Sequence, residues 1–173
     1  MLDLYSINYS ISNNKQQTIN SKYMDAIDKK LLGLLQDDTK KTTKELSMVL
    51  NLSVTAVYER IKKLEREGVI KKYVALLDAK KVEKAFVVFC HIKLVQHTKD
   101  FITTFENEVM QLNEVLECFH VSGDYDYILK VAVQDMEAFR EFMVTKLTSL
   151  QHIGSTHSSF VIGEVKHTTA FTL

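Results

Sequence analysis

From residue 25 onward the apolar positions recur at helical spacing. Ile27, Leu31, Leu34 and Leu35 stand at i, i+4, i+7 and i+8, one face of a helix. Asp25 precedes them as an N-cap, and Asp37-Asp38-Thr39-Lys40 reads as a loop. Thr42 and Glu45 have the spacing of a capping box, in which each side chain accepts from the other residue's backbone amide. Leu46, Val49 and Leu50 then give the buried stripe of a short second helix. Asn51-Leu52 makes a tight turn, Ser53 is the next N-cap, and Val54, Val57, Ile61 and Leu64 recur along a third helix that stops at Gly68. Three short helices with so tight a turn before the third are a helix-turn-helix. Residues 69–77 (VIKKYVALL) are β-prone and suit a wing strand and a link.

The period then changes. Residues 85–95 (AFVVFCHIKLV) predict a buried strand, and Phe101, Ile102, Phe105 and Val109 mark a helix over 98–110. Residues 115–121 predict a strand, Ser122-Gly123-Asp124 a turn, and 125–133 another strand. Met136, Phe139, Phe142, Met143 and Leu147 mark a second helix, and 153–165 a last long strand. The order β-α-β-β-α-β is the ferredoxin-like arrangement, so the class is α+β. Its helices cover one face of the sheet, and a partner subunit is the usual cover for the other. The organisation predicted is a mobile tail over 1–23, whose Ile7, Tyr9 and Ile11 would permit one strand, a winged helix-turn-helix over 24–78, a charged link over 79–84, and a second domain over 85–173.

Net charge is zero, but its distribution is uneven. Residues 24–82 carry 13 Lys+Arg against 9 Asp+Glu, and residues 83–173 carry 7 against 12. A basic front and an acidic back suit a nucleic-acid-binding half joined to a half with other work. Cys90 and Cys118 lie far apart in apolar surroundings, with no paired ligand spacing, and read as reduced core thiols. No run approaches the ~20 apolar residues of a membrane span. The beginning of the chain lacks the pattern of a secretory signal, so a cytoplasmic location is expected.

The third helix of a helix-turn-helix enters the major groove with its first residues nearest the bases. The stripe expected to be buried leaves Thr55, Ala56, Tyr58, Glu59, Arg60, Lys62 and Lys63 facing out. Thr55 can touch a base edge or a thymine methyl, Arg60 a guanine or a phosphate, and Glu59 a cytosine amine. Ser53 and the helix N-terminus offer donors to phosphate, and Lys71 and Lys72 add charge nearby.

These stretches resemble the Lrp/AsnC family of regulators. The likeness runs through Met24-Asp25-Ala26-Ile27-Asp28, Leu31-Leu32, Leu35-Gln36, Glu45-Leu46, Leu52-Ser53-Val54-Thr55-Ala56-Val57 and Arg60 to Ile70. It continues in Glu114 to Cys118, Ser122-Gly123-Asp124-Tyr125-Asp126-Tyr127 and Val165-Lys166-His167-Thr168-Thr169, and so covers residues 24–173. It implies a DNA-binding domain and an effector (RAM) domain whose sheets pair into dimers. It also implies that dimers can build tetramers or octamers, with amino acids bound between dimers. The chain departs from the family pattern at Glu83, where the family often has Gly, and at Asn113 and His152, where it favours Pro.

Gly123, Asp124, Tyr125 and Asp126 form the candidate effector site. Gly permits close backbone approach, a carboxylate can pair with an α-ammonium, and turn amides can face an α-carboxylate. Gly-Asp is equally the chemistry of a plain hairpin turn. Thr156 and Ser158, on the last strand, are further candidates that the resemblance places near the same cleft. His91 and His120 lie on strands expected to be neighbours, but no ligand spacing supports a metal, and neither a cofactor loop nor a catalytic nucleophile motif is present. The expectation is therefore a non-enzymatic, effector-responsive regulator whose partners are double-stranded DNA, an amino acid and its own copies. Two alternatives remain: an architectural DNA-binding protein without an effector, and an enzyme resembling the sirohaem decarboxylases. Arg140 is the one arginine of the second half, few cations for a tetrapyrrole.

Overall fold

A computed structural model describes residues 24–173. The tail expected over 1–23 lies outside the described residues. Two compact units result: 24–75 together with His167–Leu173, and Leu76–Lys166. The last seven residues group with the helices, where the Gln36 side-chain amide donates to the Phe171 carbonyl (3.0 Å) and accepts from its N–H (2.7 Å).

The helical unit has α1 (Ala26–Asp37), α2 (Thr43–Leu50) and α3 (Val54–Arg66). Every N-cap is the residue the sequence marks. Asp25 and Thr42 each form a reciprocal capping box, with Asp28 and Glu45, and the Ser53 hydroxyl accepts from the Ala56 N–H at 3.1 Å. Asn51 turns the chain at φ +53, and Gly68, at φ +71, lets the Val69 and Ile70 amides close on the Leu64 carbonyl after α3. Leu31, Leu32, Leu35, Leu46, Leu50, Val57 and Leu64 form the core. Burying each such side chain contributes about 1.5–3 kcal/mol. Five expected core positions differ. Ile27, Leu34 and Ile61 are only half-buried while Leu32 is buried, and Val49 and Val54 are exposed. The wing strand expected over 69–77 is not formed, since no strand among the described residues offers that segment a ladder.

The second unit is β1 (Phe86–Leu94), α4 (Lys99–Val109), β2 (Val115–His120), β3 (Tyr127–Val133), α5 (Met136–Thr145), a short 3-10 turn (Leu147–Ser149) and β4 (Ile153–Phe160). The antiparallel sheet runs β2-β3-β1-β4, the ferredoxin-like order expected. Val88, Cys90, Ile92 and Leu94 alternate inward opposite Tyr127, Leu129, Val131 and Val133, under Phe105, Val109, Phe139 and Phe142 of the two helices. The other face carries Val87, Phe89 and His91 of β1, Ile128 and Lys130 of β3, Phe119 of β2 and His157 of β4. No element among the described residues of this unit covers it. β4 ends at Phe160 rather than 165. Its partner β1 begins at Phe86, and the Val161 N–H to Val87 carbonyl bond is the last the ladder can offer.

Candidate DNA-recognition helix and effector turn

Helix α3 is held in place from its inner side. Asp28, on α1, is 1 % exposed, and burying its charge requires a cation. Arg60 supplies it. Its guanidinium lies 2.6 Å from Asp28 Oδ1 and 2.8 Å from Asp25 Oδ2, with Lys63 Nζ at 3.8 Å from Asp28 Oδ2. These hydrogen bonds, first that to Asp25, push the Arg60 pKa up. The bond from the Asp28 amide, then that from Arg60, holds the Asp25 carboxyl below its usual range. Arg60, expected on the outward face, is thus turned into the domain and fastens α3 to the start of α1. Lys63 leans the same way.

The outward stripe consists of Thr55, Tyr58, Glu59 and Lys62, at the i, i+3, i+4, i+7 spacing of one helix face. Lys62 Nζ sits 5.7 Å above the Tyr58 ring and 2.8 Å from Glu65, and that bond to Glu65 raises its pKa. Glu65 also accepts from the Tyr73 hydroxyl at 3.1 Å. Ser53 stands exposed at the cap, Ala56 is half-buried, and Lys71 and Lys72 are exposed on the segment after the helix. Val54, expected in the core, is instead 47 % exposed at the first turn of α3. A small apolar side chain there suits a thymine methyl. The signal for it was its position directly after the cap, ahead of the Val57–Leu64 stripe.

At the other site, Gly123 has φ +132, which an L side chain rarely adopts, so this turn requires glycine. The four candidates of the turn have different surroundings. Asp126 is fully engaged: Oδ2 accepts from the Leu94 N–H (2.8 Å), Oδ1 meets His97 Nε2 (2.7 Å), and its own N–H donates to the Ile92 carbonyl (2.9 Å). It ties the turn to the end of β1. Asp124 is exposed at the tip. Tyr125 is half-buried on the open sheet face, 5.0 Å from the His91 ring and 6.3 Å from that of His157. Thr156 pairs with Ile92, which on its other side pairs with Tyr127, so Thr156 sits level with the base of the turn across β1. Ser158 pairs with Cys90, one step farther, its hydroxyl 3.9 Å from the Cys90 sulfur. His91 and His120 do not meet: β3 lies between their strands, and His120 stacks on Tyr127 at 4.5 Å on the helix-covered face. Among the described residues no group of three or more His, Cys, Asp or Glu is placed to hold a metal ion, and no helix is long and apolar enough to cross a membrane.

Residues 24–71 match a winged helix-turn-helix DNA-binding family, and residues 87–171 match the Lrp/AsnC ligand binding domain. The leucine-responsive regulatory protein of Haemophilus influenzae is 38 % identical over 159 residues, covering 92 % of this chain and 96 % of its own. That of Escherichia coli K12 is 39 % identical over 145 residues, covering 84 % and 88 %. Among solved structures, a transcriptional regulator of Neisseria meningitidis in complex with L-Met superposes with a TM-score of 0.82 at 35 % identity, covering 86 % of this chain and 96 % of that one. An AsnC family transcriptional regulator of Agrobacterium tumefaciens matches with the same figures.

Proposed function

The chain belongs to the Lrp/AsnC family of transcription regulators, and from that premise we propose that α3 reads DNA through Thr55, Tyr58, Glu59 and Lys62 while an α-amino acid at the Gly123–Asp126 turn tunes that binding. The observation carrying the DNA reading is the outward stripe of α3, backed by a core and an Arg60–Asp28 lock that fix its angle. Ser53 and the free amides of the first turn bind phosphate; Thr55, Tyr58 and Glu59 reach base edges; Lys62, Lys71 and Lys72 supply backbone charge. Arg60 is a positioning residue.

At the turn, Asp124 takes the ammonium group, Gly123 lets the backbone approach the ligand, and Asp126 holds the loop to β1 rather than binding. The L-Met complex of the Neisseria relative supports an amino acid as ligand class. A second copy covers the open sheet face, where Val87, Phe89, Ile128 and Phe119 would otherwise leave an apolar patch in water. The same reading makes the chain a regulator rather than an enzyme, and locates it in the cytoplasm with its DNA and two free thiols.

The test of the effector is the response of DNA affinity. Millimolar L-methionine and L-leucine are expected to change DNA affinity severalfold in the native chain, and Asp124→Ala to abolish that response while leaving basal DNA binding intact. DNA affinity indifferent to every amino acid would overturn the effector reading in favour of the architectural one.

A further inference from the structure

The second unit contains a cleft that the effector turn does not use. It has a volume of about 230 Å³ and lies between α5, the end of β3 and the residues entering β1 and β2. Val133 and Phe142 form its apolar floor, and Lys84, Glu114, Glu141 and Lys146 its charged rim. The Gly123 turn joins the opposite ends of β2 and β3, about 20 Å away along a seven-residue strand. The two sites are therefore separate.

Glu114 makes this cleft more than a surface dent. One carboxylate oxygen accepts from Lys146 Nζ at 2.7 Å. The other is buried and has no hydrogen-bond partner among the described residues. A buried carboxylate oxygen without a donor is costly, and native structures rarely leave one so. Burial, the largest single influence, pushes the Glu114 pKa up, but the bond from Lys146, its own backbone amide and the charges of Lys146 and Lys84 together outweigh it and hold the carboxyl below its ordinary value. An ammonium brings three donors to such an oxygen. The rim holds charges of both signs at once, which favours a zwitterion over a simple cation or anion. The volume is below the roughly 300–1,000 Å³ of clefts for drug-sized molecules, which limits the ligand to a small one.

We propose that this cleft is a second amino-acid site, built within one protomer, holding an apolar L-α-amino acid by its ammonium at Glu114 and Glu141 and by its carboxylate at Lys84 and Lys146. The side chain lies on Val133 and Phe142. The site stands independently of the Gly123 turn, and a ligand here bridges α5 to the link that enters β1.

The test is isothermal titration of the full chain with L-leucine, N-acetyl-L-leucine and isopentylamine. Wild type is expected to show two classes of site for L-leucine, and neither derivative, each lacking one charge, is expected to fill the cleft. Glu114→Gln and the exposed-residue variant Lys84→Glu should each weaken one class at least tenfold, whereas Asp124→Ala should remove only the other. Lys84→Glu decides the matter if Glu114→Gln fails to fold. A single class lost with Asp124→Ala alone, an isotherm unchanged by Lys84→Glu in a folded chain, or no heat at all with L-leucine would each overturn the proposal. Loss of only the Asp124-insensitive class would leave the effector turn unaffected.

Discussion

Arg60 has the position of a base-reading side chain on a helical wheel, yet its guanidinium is 28 % exposed and bound to two carboxylates. Removing it leaves Asp28 buried with Lys63, at 3.8 Å, as its remaining cation. Breaking a buried ion pair by removing one partner costs roughly 3–5 kcal/mol, and the partial exposure of Arg60 sets the expected loss for Arg60→Ala near the lower limit, about 3 kcal/mol. Lys62→Ala should leave stability unchanged and reduce the salt slope of DNA binding by about one unit, the signature of one phosphate contact. Urea denaturation with DNA titrations at several salt concentrations separates the two roles. An Arg60→Ala chain of native stability that loses only sequence preference would return Arg60 to the base-reading set. Glu83 presents a different situation. It holds φ +55, the conformation glycine adopts most freely, at the position where the related family often has Gly. Glu83→Gly is expected to stabilise the chain by about 0.5–1 kcal/mol, the relief of strain less the flexibility gained when unfolded. His152, also at positive φ, stacks on Phe101 at 3.8 Å, so His152→Gly would lose that contact and bring no such gain.

At the scale of elements, the helices of the first unit depend on their capping carboxylates. The bond from the Thr42 backbone lowers the Glu45 pKa, as that from the Asp28 amide lowers Asp25. A depressed folded pKa means the stabilisation is complete above the unfolded value near 4 and is lost as pH falls through the folded value. Helical content followed by circular dichroism should therefore hold down to about pH 4 and decline below it. Glu45→Gln with Asp25→Asn should flatten that decline, and an unchanged acid limb would remove the caps from the account. These caps were legible in the sequence because capping is local: three residues fix it. The β-α-β-β-α-β order was legible for the same reason, since each period is local. Other features depended on a partner distant in sequence. Val49, Val54 and Leu34 took exposures that the stripe of each helix alone does not fix. β4 stopped where β1 ran out, and 69–77 had nothing to pair with. The inward turn of Arg60 required knowing that Asp28 is buried. At the candidate effector turn the glycine was legible and the tying of Asp126 to β1 was not, because the bond between Asp126 and the Leu94 amide spans 32 residues.

At the scale of the molecule, the two units divide the work of a regulator between an outward helix face and a sheet domain with one open face. On the proposed reading, a second copy on that face would give the assembly a two-fold axis, which it would impose on the DNA. The site read would then be a palindrome with half-sites one helical turn, or a multiple of it, apart. The most direct measurement is selection of bound sequences by the full chain from a pool of random double-stranded DNA. The account predicts recovery of a palindromic motif at that spacing, altered at particular base positions when the selection is repeated with Thr55→Ala or Tyr58→Ala. Recovery of no enriched motif, or of a motif without two-fold symmetry that both substitutions leave unchanged, would contradict it.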